Sequence, residues 1–125
     1  MVDSMTAALA LVLALLALDP EPEPEPTPVY VHCLSCPAVD VDGLEPEFLT
    51  GAVPIAACES THREGAVNPS GATGYMQVML PLHLPKVYAL GYEWGDMLRA
   101  GPNLRVAFVI WGGRGWAAWS CWRGQ

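Results

Sequence analysis

Apolar positions gather in three stretches of the 125-residue chain, each with its own pattern. Residues 7–18, AALALVLALLAL, are apolar without a break. Twelve residues fall short of the ~20 that a helix needs to cross a bilayer and instead suit a signal-peptide core, with a buried or interfacial helix as the alternative. The preceding MVDSMT carries Asp3 and no Lys or Arg, unlike the usual positive start of a signal. The second stretch, EFLTGAVPIAACES, places Phe48, Leu49, Val53, Ile55, Ala56 and Ala57 densely enough for a short buried helix. It is expected to begin at Thr50, or with Pro54 in its first turn, and to end near Glu59. Gly65, Asn68-Pro69, Gly71 and Gly74 then punctuate turns, and β-prone Tyr75 and Val78 predict a tight loop or short hairpin.

Residues 80–92 contain Pro81, Pro85 and Gly91, which predicts only broken helical turns. The third apolar stretch, PNLRVAFVIW at residues 102–111, has a hydrophobic face and a proline suited to a first turn, and predicts a second firm helix. The tail, GGRGWAAWSCWRGQ, reads as a Gly- and Trp-rich loop with room for one helical turn. No internal repeat is visible, and the density of Pro and Gly argues against long strands. The expected fold class is mostly α, an α+β domain with one short β hairpin after the first helix.

Charge divides the chain. The six basic residues all follow position 50, whereas nine of the thirteen acids precede it, so residues 1–50 carry −9 and residues 51–125 carry +2. A net charge of −7 leaves no whole-chain basic footprint for nucleic acid. In residues 19–28, DPEPEPEPTP, proline alternates with acid, which blocks helix and holds the chain extended. This organisation gives a hydrophobic leader at 1–18, an acidic spacer and Cys-containing loop at 19–50, and a working domain at 51–125. The spacer after an apolar segment suits a domain held away from a membrane or particle.

Cys33, Cys36, Cys58 and Cys121 make an even set in a short chain with an export-like leader, which favours disulfides and an oxidising compartment. Zinc is poorly served, because Cys33-Leu-Ser-Cys36 has no second pair at matching spacing; a redox CxxC lacks the strand-then-helix pattern around it.

The string IAACESTHREGAVNPSGATGYMQVM resembles the lytic transglycosylase family, with its lysozyme-like, goose-type fold. The resemblance rests on Glu59-Ser60 at a helix end, Ala66-Val67-Asn68-Pro69, the run from Ser70 to Gly74, and Tyr75-Met76-Gln77. The tail GWAAWSCW is similar to that of actinobacterial resuscitation-promoting factors, and this likeness implies a bridge between Cys58 and Cys121. The resemblance covers residues 51–125 and is dense over residues 55–79. It implies an exported wall enzyme, acting as a monomer without metal or cofactor on peptidoglycan glycan strands. Such an enzyme cleaves the β-1,4 bond between N-acetylmuramic acid and N-acetylglucosamine and leaves a 1,6-anhydro-muramyl end.

Glycoside cleavage needs a proton for the leaving oxygen, and a carboxylic acid keeps one near neutral pH where apolar burial raises its pKa. Glu59 follows Ile55, Ala56, Ala57 and Cys58 at a helix C-terminus, whose negative dipole end also disfavours the anion. The resemblance makes Glu59 the single acid and base and sets Gln77 in the cleft. Ser60, Tyr75 and Met76 read as further substrate contacts, with a cap on the helix end as the alternative for Ser60 and a structural place as the alternative for Tyr75. Trp111 and Trp119 read as core, and Trp116 as a groove wall. Gly71 and Gly74 read as turn residues that let backbone approach the sugar, Asn103 as structural, and His62 and His83 as surface histidines. The short stretch between Gln77 and Pro102 implies a shallow groove. Two rivals stay open: a hydrolase in which Glu64 or Asp96 holds a water, and a non-catalytic wall-binding protein. A disulfide-stapled interaction module is a third.

Overall fold

The computed structural model of the chain describes Pro22, Val29–Tyr30 and residues 38–123. The leader, nearly all of the Pro-Glu spacer, Cys33 and Cys36 lie outside the described residues, and with them the export, tether and local disulfide expectations.

The order is β1 (Val29–Tyr30), β2 (Val39–Asp40), α1 (Pro46–Ser60), β3 (Ala72–Thr73), β4 (Val78–Met79) and α2 (Leu80–Ala89). A 3-10 helix at Trp94–Leu98, α3 (Ala100–Arg114), a second 3-10 helix at Gly115–Ala118 and α4 (Ser120–Arg123) complete it. The domain is mostly helical, an α+β arrangement, and the expected hairpin follows α1: Ala72 pairs with Met79 and Thr73 with Val78. A second antiparallel pair, β1 with β2, falls where the sequence suggested only loop. Val39, Leu44 and Phe48 belong to the core, so the packed unit includes residues ahead of position 51. Arg105 on α3 ties that segment down, donating to the backbone oxygens of Asp42 at 2.8 Å and Asp40 at 3.1 Å.

Helix α1 starts at Pro46, not at Thr50 or Pro54, and Pro54 lies on its exposed side inside the helix. Phe48, Ala52, Ile55 and Ala56 recur at helical spacing on the buried side. Their burial outweighs the interior proline's cost of about 3 kcal/mol. The helix ends with Thr61 in the left-handed region at φ 53°, where the Thr61 and His62 N–H groups return to the Ala57 and Ala56 carbonyls.

Helix α2 corrects the reading of residues 80–92 as broken turns. Pro81 sits in the first turn, where a missing N–H costs nothing, and Pro85 is tolerated inside the helix. Leu80, His83 and Val87 form a buried stripe at helical spacing, with Leu84 packed beside it. Helix α3 is longer than expected at both ends and supplies Leu104, Val106, Ala107 and Ile110 to the core.

The hairpin loop between β3 and β4 turns inside this core. Tyr75 and Met76 are fully buried, and their backbone groups are met by side chains from three directions. Asn103, 0 % exposed, accepts from the Met76 N–H at 2.8 Å and donates from Nδ2 to the carbonyls of Thr73 and Met97, each at 2.9 Å. Ser60 Oγ donates to the Tyr75 carbonyl at 2.6 Å, and Trp119 Nε1 to the Met76 carbonyl at 2.8 Å. Gly74, at φ +81°, passes so close to this cluster that a Cβ would fall 2.0 Å from the Met97 oxygen. Its close approach is to protein, not to a sugar. Gly71 likewise lies against Pro81.

Asn103→Leu would take away the acceptor of the buried Met76 N–H and a donor from each of the Thr73 and Met97 carbonyls. It should lower stability by about 3 kcal/mol or more, seen as a reduced urea midpoint at unchanged slope. Cys58 and Cys121 are bonded to each other across 63 residues. Their joint replacement by serine should cost about 2–5 kcal/mol and raise amide exchange in the tail.

Candidate functional site

A groove of about 240 Å³ opens beside the end of α1. Its lining brings together Glu59 from α1, Asn68 and Ser70 from the turn, Ala72 from β3, Gln77 from the hairpin loop, and Val78 and Met79 from β4. His83 of α2, Ile110 of α3, and Ala118, Trp119 and Ser120 from the tail close it.

Glu59 is half-buried, and its surround is more polar than the apolar helix end suggested. Oε1 accepts from the Cys121 N–H at 3.2 Å and from Ser120 Oγ at 3.4 Å. Both donors lie in α4, which the Cys58–Cys121 bridge holds against α1. Among the described residues both bonds go to Oε1, which leaves Oε2 without such a bond.

Gln77 reaches the groove through a backbone in the left-handed region, φ 49°, a conformation that costs a non-glycine residue about 1 kcal/mol or more. The inversion lets Tyr75 and Met76 point into the core while the next side chain faces the groove. Its amide nitrogen donates to the carbonyls of Ala66 at 3.0 Å and Gly74 at 3.1 Å. With both N–H bonds spent on the loop, Oε1 is left as a fixed acceptor.

The remaining expected contacts lie elsewhere. Ser60 is 2 % exposed and binds the Tyr75 and Ala56 carbonyls; it is a clamp, not a groove residue. Tyr75 is buried, with its hydroxyl 3.2 Å from His62 Nδ1, and Met76 is core. Trp116 is no groove wall: it stacks on Phe48, ring centroids 5.5 Å apart and planes 5° from parallel, over Gly51. Trp119 packs in the core as expected and also lines the groove.

Of the other acids in the domain, Glu64 accepts from the Ala100 N–H at 3.0 Å and lines a second hollow of about 460 Å³ with Asp40, Tyr92, Arg99 and Arg105. Glu93 and Asp96 form a reciprocal capping box on the 3-10 helix. Asp96 is held below the usual carboxylate range by its bond from the Glu93 backbone and by Arg99. Among the described residues, no group of three or more His, Cys, Asp or Glu is placed to hold a metal, and no helix is long and apolar enough to cross a membrane.

His83 departs most from expectation. Read as a surface histidine, it is 5 % exposed, in the buried stripe of α2, and it lines the groove. The signal was its place three residues after Leu80 and four before Val87, inside an apolar stripe that the prolines obscured. Asn68 and Ser70 had a signal too, since Asn-Pro-Ser favours the turn in which Asn68 Oδ1 accepts from the Ser70 N–H at 3.0 Å. Ser120 had none, because its place depends on how the tail folds back.

Comparisons with protein-family models, with curated proteins and with solved structures find no match to this chain.

Burial holds His83 below its ordinary pKa of 6.5, and Lys86 and Arg114 push the same way. The unfolded chain therefore binds the proton first, so stability is full above pH 6.5 and falls as pH drops from there toward the lowered folded-state value. His62 is also lowered by burial and acts with the same sign. Between about pH 7.5 and about pH 5, the urea midpoint of the wild type should fall further than that of His83→Gln, in which His62 is retained. Equal falls would show that His83 takes up its proton without cost.

Proposed function

We propose that the chain is a peptidoglycan lytic transglycosylase with a lysozyme-like domain, cleaving the bond between N-acetylmuramic acid and N-acetylglucosamine without water. The observation that carries this reading is that Glu59 is the lone carboxylate among the described residues that line its groove. A hydrolase of the usual kind sets two carboxyl groups across the scissile bond. Glu64 and Asp96, the residues that a hydrolytic reading needs for a water, are engaged at other places. A single carboxyl suits chemistry in which the sugar supplies its own nucleophile.

In that reaction the protonated Glu59 gives its proton to the glycosidic oxygen as the C1–O4 bond breaks. The resulting carboxylate takes the proton of the muramyl 6-hydroxyl as O6 bonds to C1, so the acid is regenerated and the atoms balance. The two donors on Oε1 fix the carboxyl plane and leave Oε2 for the proton. Gln77 Oε1 accepts from an N–H of the sugar's acetamide and sets its register. The +2 charge of residues 51–125 favours approach to an anionic polymer.

The test is digestion of purified peptidoglycan by the full-length, disulfide-intact chain, with the soluble products read by mass spectrometry. Anhydro-muropeptides should appear, and Glu59→Gln should reduce them by roughly a hundredfold or more. Reducing-end products would make the protein a hydrolase. Binding to the wall with no product would make it a binding protein, and an unaltered Glu59→Gln would overturn the assignment of the acid.

A further inference from the structure

Nothing in the fold explains the histidine at position 83. The other buried members of its stripe, Leu80 and Val87, are apolar, and a leucine would satisfy the packing. Instead the core accepts an imidazole whose Nδ1 is buried with no hydrogen-bond partner, the only such side-chain atom among the described residues. A buried polar atom left unpaired loses its hydration without a replacement bond, a cost that an apolar side chain would avoid. The ring lines the groove that holds Glu59 and Gln77.

The orphan also settles which nitrogen carries the proton. A neutral imidazole has one N–H, and a buried N–H with no acceptor is costlier than a buried lone pair with no donor. The proton therefore sits on Nε2, the ring nitrogen that is not among the buried, unpartnered atoms. His83 thus offers the groove a donor, while Gln77, its nitrogen spent on Ala66 and Gly74, offers an acceptor. A secondary amide is the neutral group that answers both, with an N–H and a carbonyl on one rigid plane.

We propose that His83 is a substrate-binding residue, its Nε2–H donating to the carbonyl oxygen of a sugar acetamide whose N–H is taken by Gln77 Oε1. This rests on the glycan reading of the groove and extends it: the groove selects N-acetylated sugar by a donor and an acceptor on separate elements, α2 and the hairpin loop. Burial beside Lys86 and Arg114 keeps the ring neutral, and a neutral ring holds the single N–H in place.

Two measurements test it on the full-length chain. Chitotetraose is titrated into wild-type protein while the ring nitrogens of His83 are followed by NMR; the Nε2 resonance should move and the proton should stay on Nε2. In parallel, His83→Leu, His83→Gln and His83→Asn are assayed on peptidoglycan. His83→Leu should fold at least as stably as the wild type, because its Nδ1 gives up no bond, yet raise KM about tenfold with kcat changed much less. His83→Gln, whose amide N–H reaches the place of Nε2, should recover most of that loss, and His83→Asn should not. An unmoved Nε2 signal at saturating chitotetraose, or a KM for His83→Leu within about twofold of wild type, overturns the proposal. A wild type that shows the Nε2 shift but releases no product overturns the transglycosylase reading and leaves His83 as a glycan contact. If the variants fail to fold, the titration of the wild type decides alone.

Discussion

A single buried carboxamide holds this domain in register. Asn103 uses its oxygen and both amide hydrogens, joining the loop after β3, the 3-10 helix before α3 and α3 itself through three bonds of 2.8–2.9 Å. A loop that turns inside a core has backbone groups that water cannot reach, and each needs a partner from the protein. Ser60 and Trp119 supply two more, from α1 and from the tail. The residues between Thr73 and Val78 are thus gripped from every side. The orientation of Gln77 follows from that grip: with Tyr75 and Met76 pinned inward, the left-handed turn at position 77 is what returns the chain to β4 with one side chain facing out.

How far the fold was legible depended on what kind of signal each element carried. The apolar periodicity of α1 and α3 and the turn residues between Gly65 and Gly74 marked two helices and a hairpin correctly in kind. Proline misled in both directions. Pro54 and Pro85 read as boundaries, but each sits within a helix whose buried stripe outweighs the local cost. The β1–β2 pair escaped notice because two-residue strands leave almost no periodicity to read, and its hold on the domain comes from Val39 in the core and from Arg105, more than sixty residues away.

The candidate site was legible where a motif points outward and illegible where it points inward. Glu59 and Gln77 reach the groove, whereas Ser60, Tyr75 and Met76, adjacent in sequence and drawn from the same strings, build the scaffold that presents them. A local string does not reveal which of its residues face in, because that depends on partners such as Asn103 and Trp119 supplied from elsewhere. The same reasoning separates the tryptophans: Trp116 lies flat on Phe48, while Trp119, three residues on, reaches both core and groove.

The tie between Glu59 and the backbone of Cys121 bears on the order in which the molecule is completed. Helices α1 to α3 and the hairpin are all made before the ribosome reaches position 121, and they contain most of the groove. The wall formed by Ala118, Trp119 and Ser120, and both donors on Oε1, are made after these and are fastened by the bond between Cys58 and Cys121. A chain still being made, or still reduced, carries the carboxylate without its support. Completion of the site is thereby tied to closure of the Cys58–Cys121 bond.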